Sequence, residues 1–308
     1  MVMQEKSQTV LITGGSGLIG RYLTSRLLEE GFNVAHLSRS QDQFGKVRVY
    51  RWDPAEKIIN EEFLSGIDYV IHLAGTNIGN GRWNANRKKE ILSSRVGSAN
   101  FLHEVLSSQN LKLKAFISAS AIGYYGAVTT EKIFTEDDPP AVDFLGNVCK
   151  SWEEAADRFS DLSGRVVKIR TGVVLERSDS AVSKLLRPAQ FGVFPVTGDG
   201  RQFMPWIHIH DLTGIYLKAV NDISINGTYN AVAPQFSTHR EFMSELARAL
   251  DKRFFGPPVP GFILKIAMGE MADVVLKGSR VSAGKIIKAG YHFKFDNLPS
   301  ALNDILKM

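Results

Sequence analysis

The chain has 308 residues, 44% of them hydrophobic and 22% charged, with a formal net charge of +5 and a single cysteine, Cys149, which is room for one large α/β domain with a smaller lobe attached. One thiol excludes an intramolecular disulfide and a cysteine-rich metal site, and points to a reducing compartment. The positive charge is not gathered into the patch that nucleic-acid binding needs, and the apolar stretch 261–276 is too polar to span a membrane because Lys265, Glu270 and Asp273 interrupt it.

The first predicted element is a strand over residues 10–12, leading into Gly14, Gly17 and Gly20. An amphipathic helix follows with Leu18, Ile19, Leu23 and Leu27 on one face, and then a second apolar strand ending at Ser38 and Arg39. Strand, glycine turn, helix and strand within about 30 residues is the arrangement that binds a dinucleotide. Glycine lets the backbone turn sharply and lets a pyrophosphate come close, and the helix N-terminus offers unpaired N–H groups and a positive dipole end.

The end of the second strand selects between cofactors. An NAD site carries an acidic residue there, bonded to the adenosine 2′-hydroxyl. Here Ser38 and Arg39 stand in its place with Ser40 beside them, and a guanidinium flanked by hydroxyls attracts a 2′-phosphate. The expected cofactor is NADP(H) rather than NAD(H).

Further strands are predicted at 46–52, ending at Asp53, at 69–73, closing on Ala74 and Gly75, at 114–118 and at 165–170. Helices are predicted at 60–64, 84–107 and 144–159, and the alternation implies a parallel, doubly wound sheet. After Thr171 the alternation loosens. A long loop is expected at 192–205, and helices at 213–220, 238–250, 261–276 and 299–306. The expected division is a Rossmann domain over 1–175 that also receives parts of 206–232, and a substrate lobe over 176–308 that includes a helical module at 257–308. No apolar leader precedes the first strand, so the cytoplasm is the expected location.

Several segments together carry a resemblance: TGGSGLIG (13–20), HLAG (72–75), SAIGYYG (120–126), CKSWEEAA (149–156), RTGVVL (170–175), PWIHIHDL (205–212) and the tail from PPVPGFILK (257–265) through AGYHF (289–293). The chain resembles the atypical extended short-chain dehydrogenases/reductases, in the NAD(P)-dependent epimerase/dehydratase-like branch that carries a C-terminal DUF1731-type module. The resemblance covers essentially the full chain. It implies a Rossmann-type domain with a small C-terminal substrate lobe, NADP(H) as cofactor, and oxidoreductase or epimerase chemistry on a small hydroxyl or carbonyl compound. A homodimer through helices 84–107 and 144–159 is also part of what it implies, as are a small-molecule substrate and no nucleic-acid or membrane partner.

Members of that family work with Ser or Thr, Tyr and Lys. By the resemblance Ser120 orients the substrate oxygen and Lys150 bonds the cofactor ribose. The tyrosine should precede Lys150 by four residues, one helix turn, but Gly146 stands there. The proton donor is therefore open between Tyr124, Tyr125, His208 and a group of the substrate itself. A protein that binds NADPH as a regulator or sensor without turnover is the alternative reading, and Gly146→Tyr would test whether the family geometry persists. His208 and His210 alternate with isoleucines in a strand-like pattern, and Cys149 reads as a buried small residue. The remaining carry-over is to binding. Gly14, Gly17, Leu18, Ile19 and Gly20 take the pyrophosphate, Ser38 and Arg39 the 2′-phosphate, and Asp53 the adenine side. Leu73, Ala74 and Gly75 line the ribose and pyrophosphate path, and Gly172 and Val173 the nicotinamide carboxamide. Arg82, Trp83, Lys88, Arg95, Tyr125 and His208 are substrate candidates, and no metal ligands are expected.

Overall fold

The Val-, Ile- and Leu-rich runs lie side by side as buried strands. The computed structural model describes residues 8–39, 47–60, 62, 66–178 and 180–307. Its strands are β1 (Thr9–Thr13), β2 (Asn33–Ser38), β3 (Arg48–Asp53), β4 (Ile58–Ile59), β5 (Tyr69–His72), β6 (Ala115–Ala121), β7 (Ile133–Phe134), β8 (Val166–Thr171), β9 (Val173–Leu175), β10 (Val196–Thr197), β11 (Trp206–His208), β12 (Gly227–Ala231), β13 (Pro258–Val259) and β14 (Arg280–Val281). Its helices are α1 (Leu18–Glu29), α2 (Ala85–Leu92), α3 (Ser98–Ser108), α4 (Phe144–Asp157), α5 (Ala181–Ala189), α6 (Ile209–Asn221), α7 (His239–Ala249), α8 (Gly261–Met268), α9 (Ala272–Leu276), α10 (Gly284–Lys288) and α11 (Leu298–Lys307).

The main sheet has the order β12-β8-β6-β5-β1-β2-β3-β4, parallel except for the last strand. Strands β1, β2 and β3 run outward one way, and β5, β6, β8 and β12 the other. The direction of winding reverses between β1 and β5, and in such sheets ligands bind outside the strand C-termini at that point. This is the Rossmann-type, doubly wound fold.

One face of the sheet is covered by α1 and α6, through Leu23, Leu27, Leu212, Ile215 and Tyr216. The other is covered by α3, α4 and the 3-10 turn Arg158–Asp161 that follows it, through Leu102, Leu106, Ala156 and Phe159. Full burial of each large side chain stabilises by about 1.5–3 kcal/mol. A third core joins α7 and α11 to β9 and β11 around Phe242, Leu302 and Trp206. The C-terminal segment is tied on by β14, which pairs with β7, and by Gly278, which lies so close to the Phe203 carbonyl that no Cβ would fit.

Three elements differ from their expectation. The helix expected at 84–107 is α2 and α3 joined by a π turn, Ser93–Gly97, and such turns occur often at functional sites. The stretch 261–276 is two helices, because Gly269 takes a φ of +64° and breaks the turn between α8 and α9. The helix expected at 213–220 begins four residues earlier, at Ile209, so His210 lies in α6 and not on a strand. Most of the helix expected at 60–64 lies outside the described residues.

Candidate cofactor and active site

Because the strands are parallel, their C-terminal ends share one edge. Along that edge the sheet brings together Asp53 (β3), Ser38 (β2), Gly14 (after β1), Leu73 to Gly75 (after β5), Ser120 (β6) and Gly172 (after β8).

The glycine turn is built around contacts that only glycine permits. Gly14 has a φ of +72°, and a Cβ there would lie 3.1 Å from the Leu73 carbonyl. A Cβ on Gly20 would lie 2.6 Å from the Gly14 carbonyl oxygen, and one on Gly15 would lie 2.5 Å from the His36 ring. Gly17 caps α1 with no side chain to bond its first-turn N–H groups, and no acidic residue stands in that turn. Uncapped donors of this kind form an anion site. The residues present therefore fit the pyrophosphate of a dinucleotide. Gly15 and His36 were not among the expected residues; the Gly-Gly pair was the available signal. His36 bonds Thr24 at 2.8 Å, and burial pushes its pKa down to about 4.

Thr13 joins the two strands at the switch point. Its hydroxyl oxygen accepts the N–H groups of Leu73 and Ala74, both at 3.2 Å, and lies 2.9 Å from Nδ1 of His72. His72 Nε2 in turn lies 3.2 Å from the Ser98 hydroxyl, just past the π turn. With Thr13 donating to Nδ1, the neutral ring carries its proton on Nε2. Within the π turn, Arg95 donates to the carbonyls of Thr76 and Ile91, both at 3.0 Å, and lies over the Trp152 ring. It braces the Gly75 loop through these bonds.

Ser38 is half-buried at the end of β2, and Arg39 is exposed just beyond it. Ser40 lies outside the described residues. Asp53 accepts the Ala55 N–H at 3.1 Å. Gly172 passes so close to Pro205 that a Cβ would lie 2.7 Å from its carbonyl oxygen, and Val173 N–H donates to that same oxygen at 2.8 Å.

At the expected catalytic positions the side chains are arranged differently from the family relay. Ser120 is buried, and its hydroxyl donates to Glu153 Oε1 at 2.7 Å. Glu153 holds Arg170 with two bonds, from Nε at 2.8 Å and from the terminal nitrogen at 2.9 Å. Arg170 also donates to the Tyr125 hydroxyl at 2.9 Å, and that hydroxyl donates to Asn230 Oδ1 at 2.7 Å. Tyr125 is only 3% exposed and its hydroxyl is used in both directions, so it is not open to a substrate. Burial pushes that hydroxyl up to about 12. Tyr124 is half-buried, with its ring over the Arg170 guanidinium at 3.4 Å. Glu153 and Arg170 were not expected residues, and nothing local in the sequence marks them as a pair.

Lys150 lies on the exposed side of α4, 3.8 Å from Glu154. At Gly146 a Cβ would lie 2.2 Å from the Ala141 carbonyl oxygen. Asp143 holds that loop against the helix, accepting from Gly146 N–H and Ala127 N–H, both at 2.8 Å. The place of the family tyrosine is filled by backbone. Cys149 is buried, and burial pushes its thiol up to about 12.

Of the substrate candidates, Trp83 donates to the Ile78 carbonyl at 2.9 Å and meets Phe144 edge-on. Lys88 is paired with Glu270, and Arg82 lies beside Gly269, so both reach the start of the C-terminal module. His208 is 2% exposed at the start of α6, against Phe295, and lines a cavity apart from the glycine turn. Among the described residues no group of three or more His, Cys, Asp or Glu stands close enough to hold a metal ion, and no helix is long and apolar enough to cross a membrane.

The NAD dependent epimerase/dehydratase family matches residues 10–143, and DUF1731, a domain of unknown function, matches residues 259–305. The chain is 36% identical over 301 residues to the mouse epimerase family protein SDR39U1, covering 96% of this chain and 99% of that one. The protein belongs to the epimerase family. Within it, YfhF of Bacillus subtilis is 34% identical over 96% of this chain and 97% of its own length. The crystal structure of human epimerase family protein SDR39U1 (isoform 2) with NADPH is similar with a TM-score of 0.87 and 32% identity, over 97% of this chain and 99% of that one. In this member of the epimerase family the two matched stretches meet where Lys88 pairs with Glu270.

Proposed function

We propose that the protein is an NADP(H)-dependent oxidoreductase or epimerase acting on a small hydroxyl or carbonyl compound. The observation that carries this is the glycine turn at the sheet's switch point, with uncapped α1 N–H groups and Arg39 at the end of β2 where NAD sites carry a carboxylate. The likeness to the NADPH-bound human protein supports the same cofactor. Arg39 is assigned to the adenosine 2′-phosphate and Gly14 to Gly20 to the pyrophosphate. Lys150 is assigned to the ribose, because its exposed pair with Glu154 is worth at most about 1 kcal/mol and yields readily to ribose hydroxyls. The bound cofactor supplies hydride chemistry at the nicotinamide.

The protein's own part is to move a proton and hold the reacting oxygen, and Tyr124 is assigned as proton donor. Ser120 already donates its hydrogen to Glu153, so it offers only lone pairs and acts as a positioning residue for Glu153 and Arg170 beneath Tyr124. The test is fluorescence titration with NADPH, followed by a panel of carbonyl compounds and absorbance of the bound cofactor. The expected result is substrate-dependent oxidation that drops about 10²-fold or more in Tyr124→Phe with NADPH affinity unchanged. Equal rates in that variant would remove Tyr124.

A specific observation favours a second reading, a protein that binds NADPH and signals its presence without turnover. The Ala141 backbone closes the position of the family tyrosine. Tight NADPH binding with no oxidation across the carbonyl panel, and no epimerisation of hydroxyl compounds with NADP+ bound, supports this reading over the first.

A further inference from the structure

A cavity of about 290 Å³ opens between α1, the start of α6 and the C-terminal segment, and none of the turn glycines lines it. This is near the lower end of ligand-cavity sizes. Tyr22 and Arg26 face it from α1, His208 and His210 from the β11–α6 junction, and Lys294 and Asp304 from the C-terminal side.

Within this cavity His208 is the group the fold leaves incomplete. Its Nδ1 accepts the His210 N–H at 3.1 Å, so the neutral ring carries its proton on Nε2. That N–H is buried and has no hydrogen-bond partner among the described residues. Asp304 lies 3.3 Å away but out of line. An unmatched buried donor is unfavourable, and a ligand oxygen would satisfy it.

The cavity wall carries three cations, Arg26, Arg177 and Lys294, against two carboxylates, Glu176 and Asp304. Among the described residues Arg26 donates to two neutral acceptors, the His210 carbonyl at 2.8 Å and the Thr213 hydroxyl at 3.0 Å. The Lys294 ammonium contacts the Phe295 ring at 5.1 Å, and neither cation has a carboxylate partner among the described residues. Arg177 is on the same wall. Of the opposing acids, Glu176 already accepts from Tyr22 and Ser178, and Asp211 from the Lys294 and Phe295 N–H groups and the Tyr291 hydroxyl. Glu176 and Asp304 are the two carboxylates among the described residues that line the space. Phe295, Ile209 and Ile305 supply an apolar floor.

We infer that this cavity binds a small oxyanion, a carboxylate or phosphate on a short apolar body, with its charge held by His208 Nε2, Arg26 and Lys294. Such a ligand would tie α1, whose N-terminus is the glycine turn, to α11 of the C-terminal module. Binding to the folded state alone would stabilise both together.

The probe is inorganic phosphate, titrated at constant ionic strength into the full chain kept saturated with NADPH, so that the glycine turn is taken. The readout is the imidazole resonances of His208 and His210. The expected result is a saturable shift whose affinity falls about tenfold in Lys294→Met, which removes one charged donor and no hydrogen bond of the fold. Arg26→Met is the second variant, expected to weaken binding at least as much. Phosphate bound instead at an open glycine turn would move the amides of Gly14 to Gly20 and leave the histidines still, which counts against the site. The inference is overturned by absent or non-saturable histidine shifts, by equal shifts with sodium chloride, or by unchanged affinity in both variants.

Discussion

The Arg170 guanidinium carbon lies over the Tyr124 ring, 3.4 Å from its centroid. The two residues come from different elements, the end of β8 and the short turn after β6, and Glu153 of α4 fixes the arginine between them. Burial raises the Tyr124 hydroxyl above the usual tyrosine value, and the Arg170 charge opposes that rise. In the family relay a lysine supplies the cation beside the catalytic tyrosine. Here a buried, permanently charged arginine stands against a tyrosine that approaches from another direction.

Breaking this arrangement at Glu153 should be costly. Arg170 is 3% exposed, so Glu153→Gln leaves a buried guanidinium without its counter-charge. A loss of about 3–5 kcal/mol is expected. Ser120→Ala removes one hydrogen bond while Arg170 still holds Glu153 by two, and about 1–2 kcal/mol is expected. Urea denaturation of both variants checks the order, and equal losses would show that the pair is not the anchor.

Restoring the missing tyrosine should fail. A side chain at position 146 must displace the Ala141 carbonyl, which an added Cβ would meet at 2.2 Å. Gly146→Ala alone is expected to destabilise by about 1–3 kcal/mol, and Gly146→Tyr by more, with no gain in NADPH oxidation. A faster, stable Gly146→Tyr would mean that the 141 loop yields and the family geometry is recoverable.

The nucleotide edge was readable in the sequence because its residues sit at strand ends, and a parallel sheet places all those ends along one edge. Apolar runs mark the strands, so Gly14 and Ser38 followed from local pattern, while Asp53 and Leu73 were expected from the family resemblance. The catalytic region was not readable in that way. Ser120, Glu153 and Arg170 belong to β6, α4 and β8 and meet only through packing. Arg170 looked like the last residue of a strand, and Glu153 like one more charge on a helix. The π turn at 93–97 hid for another reason: its i→i+5 bonding adds about one residue to an otherwise continuous helix, and no glycine or proline break precedes it.

Stability should fall between pH 6.5 and 4. Burial depresses His36, His72, His208 and His239 to about 4 from the ordinary 6.5. Over that interval the unfolded chain binds protons that the native rings refuse, so stability rises with pH. The contribution is fully present above pH 6.5 and is lost as pH falls towards 4, at up to about 1.4 kcal/mol per pH unit for each ring. Asp138 and Asp161 are held below the usual carboxyl range, by Lys132 and His103 in turn, so they act only at lower pH. Melting temperatures from pH 7.5 to 4.5 check the window, and a flat profile down to pH 5 would contradict it.

Arg39→Ala should separate the two nicotinamide cofactors. Arg39 is exposed one residue beyond β2, at the strand next to the glycine turn. Only NADPH carries the 2′-phosphate there, and a charge-assisted bond is worth about 1.5–3 kcal/mol. NADPH affinity should fall about 10- to 100-fold, while NADH affinity holds. Titrating both cofactors into wild type and variant reads the change directly. An equal loss for the two would place Arg39 on the pyrophosphate they share, and an unchanged NADPH affinity would leave the 2′-phosphate to other groups.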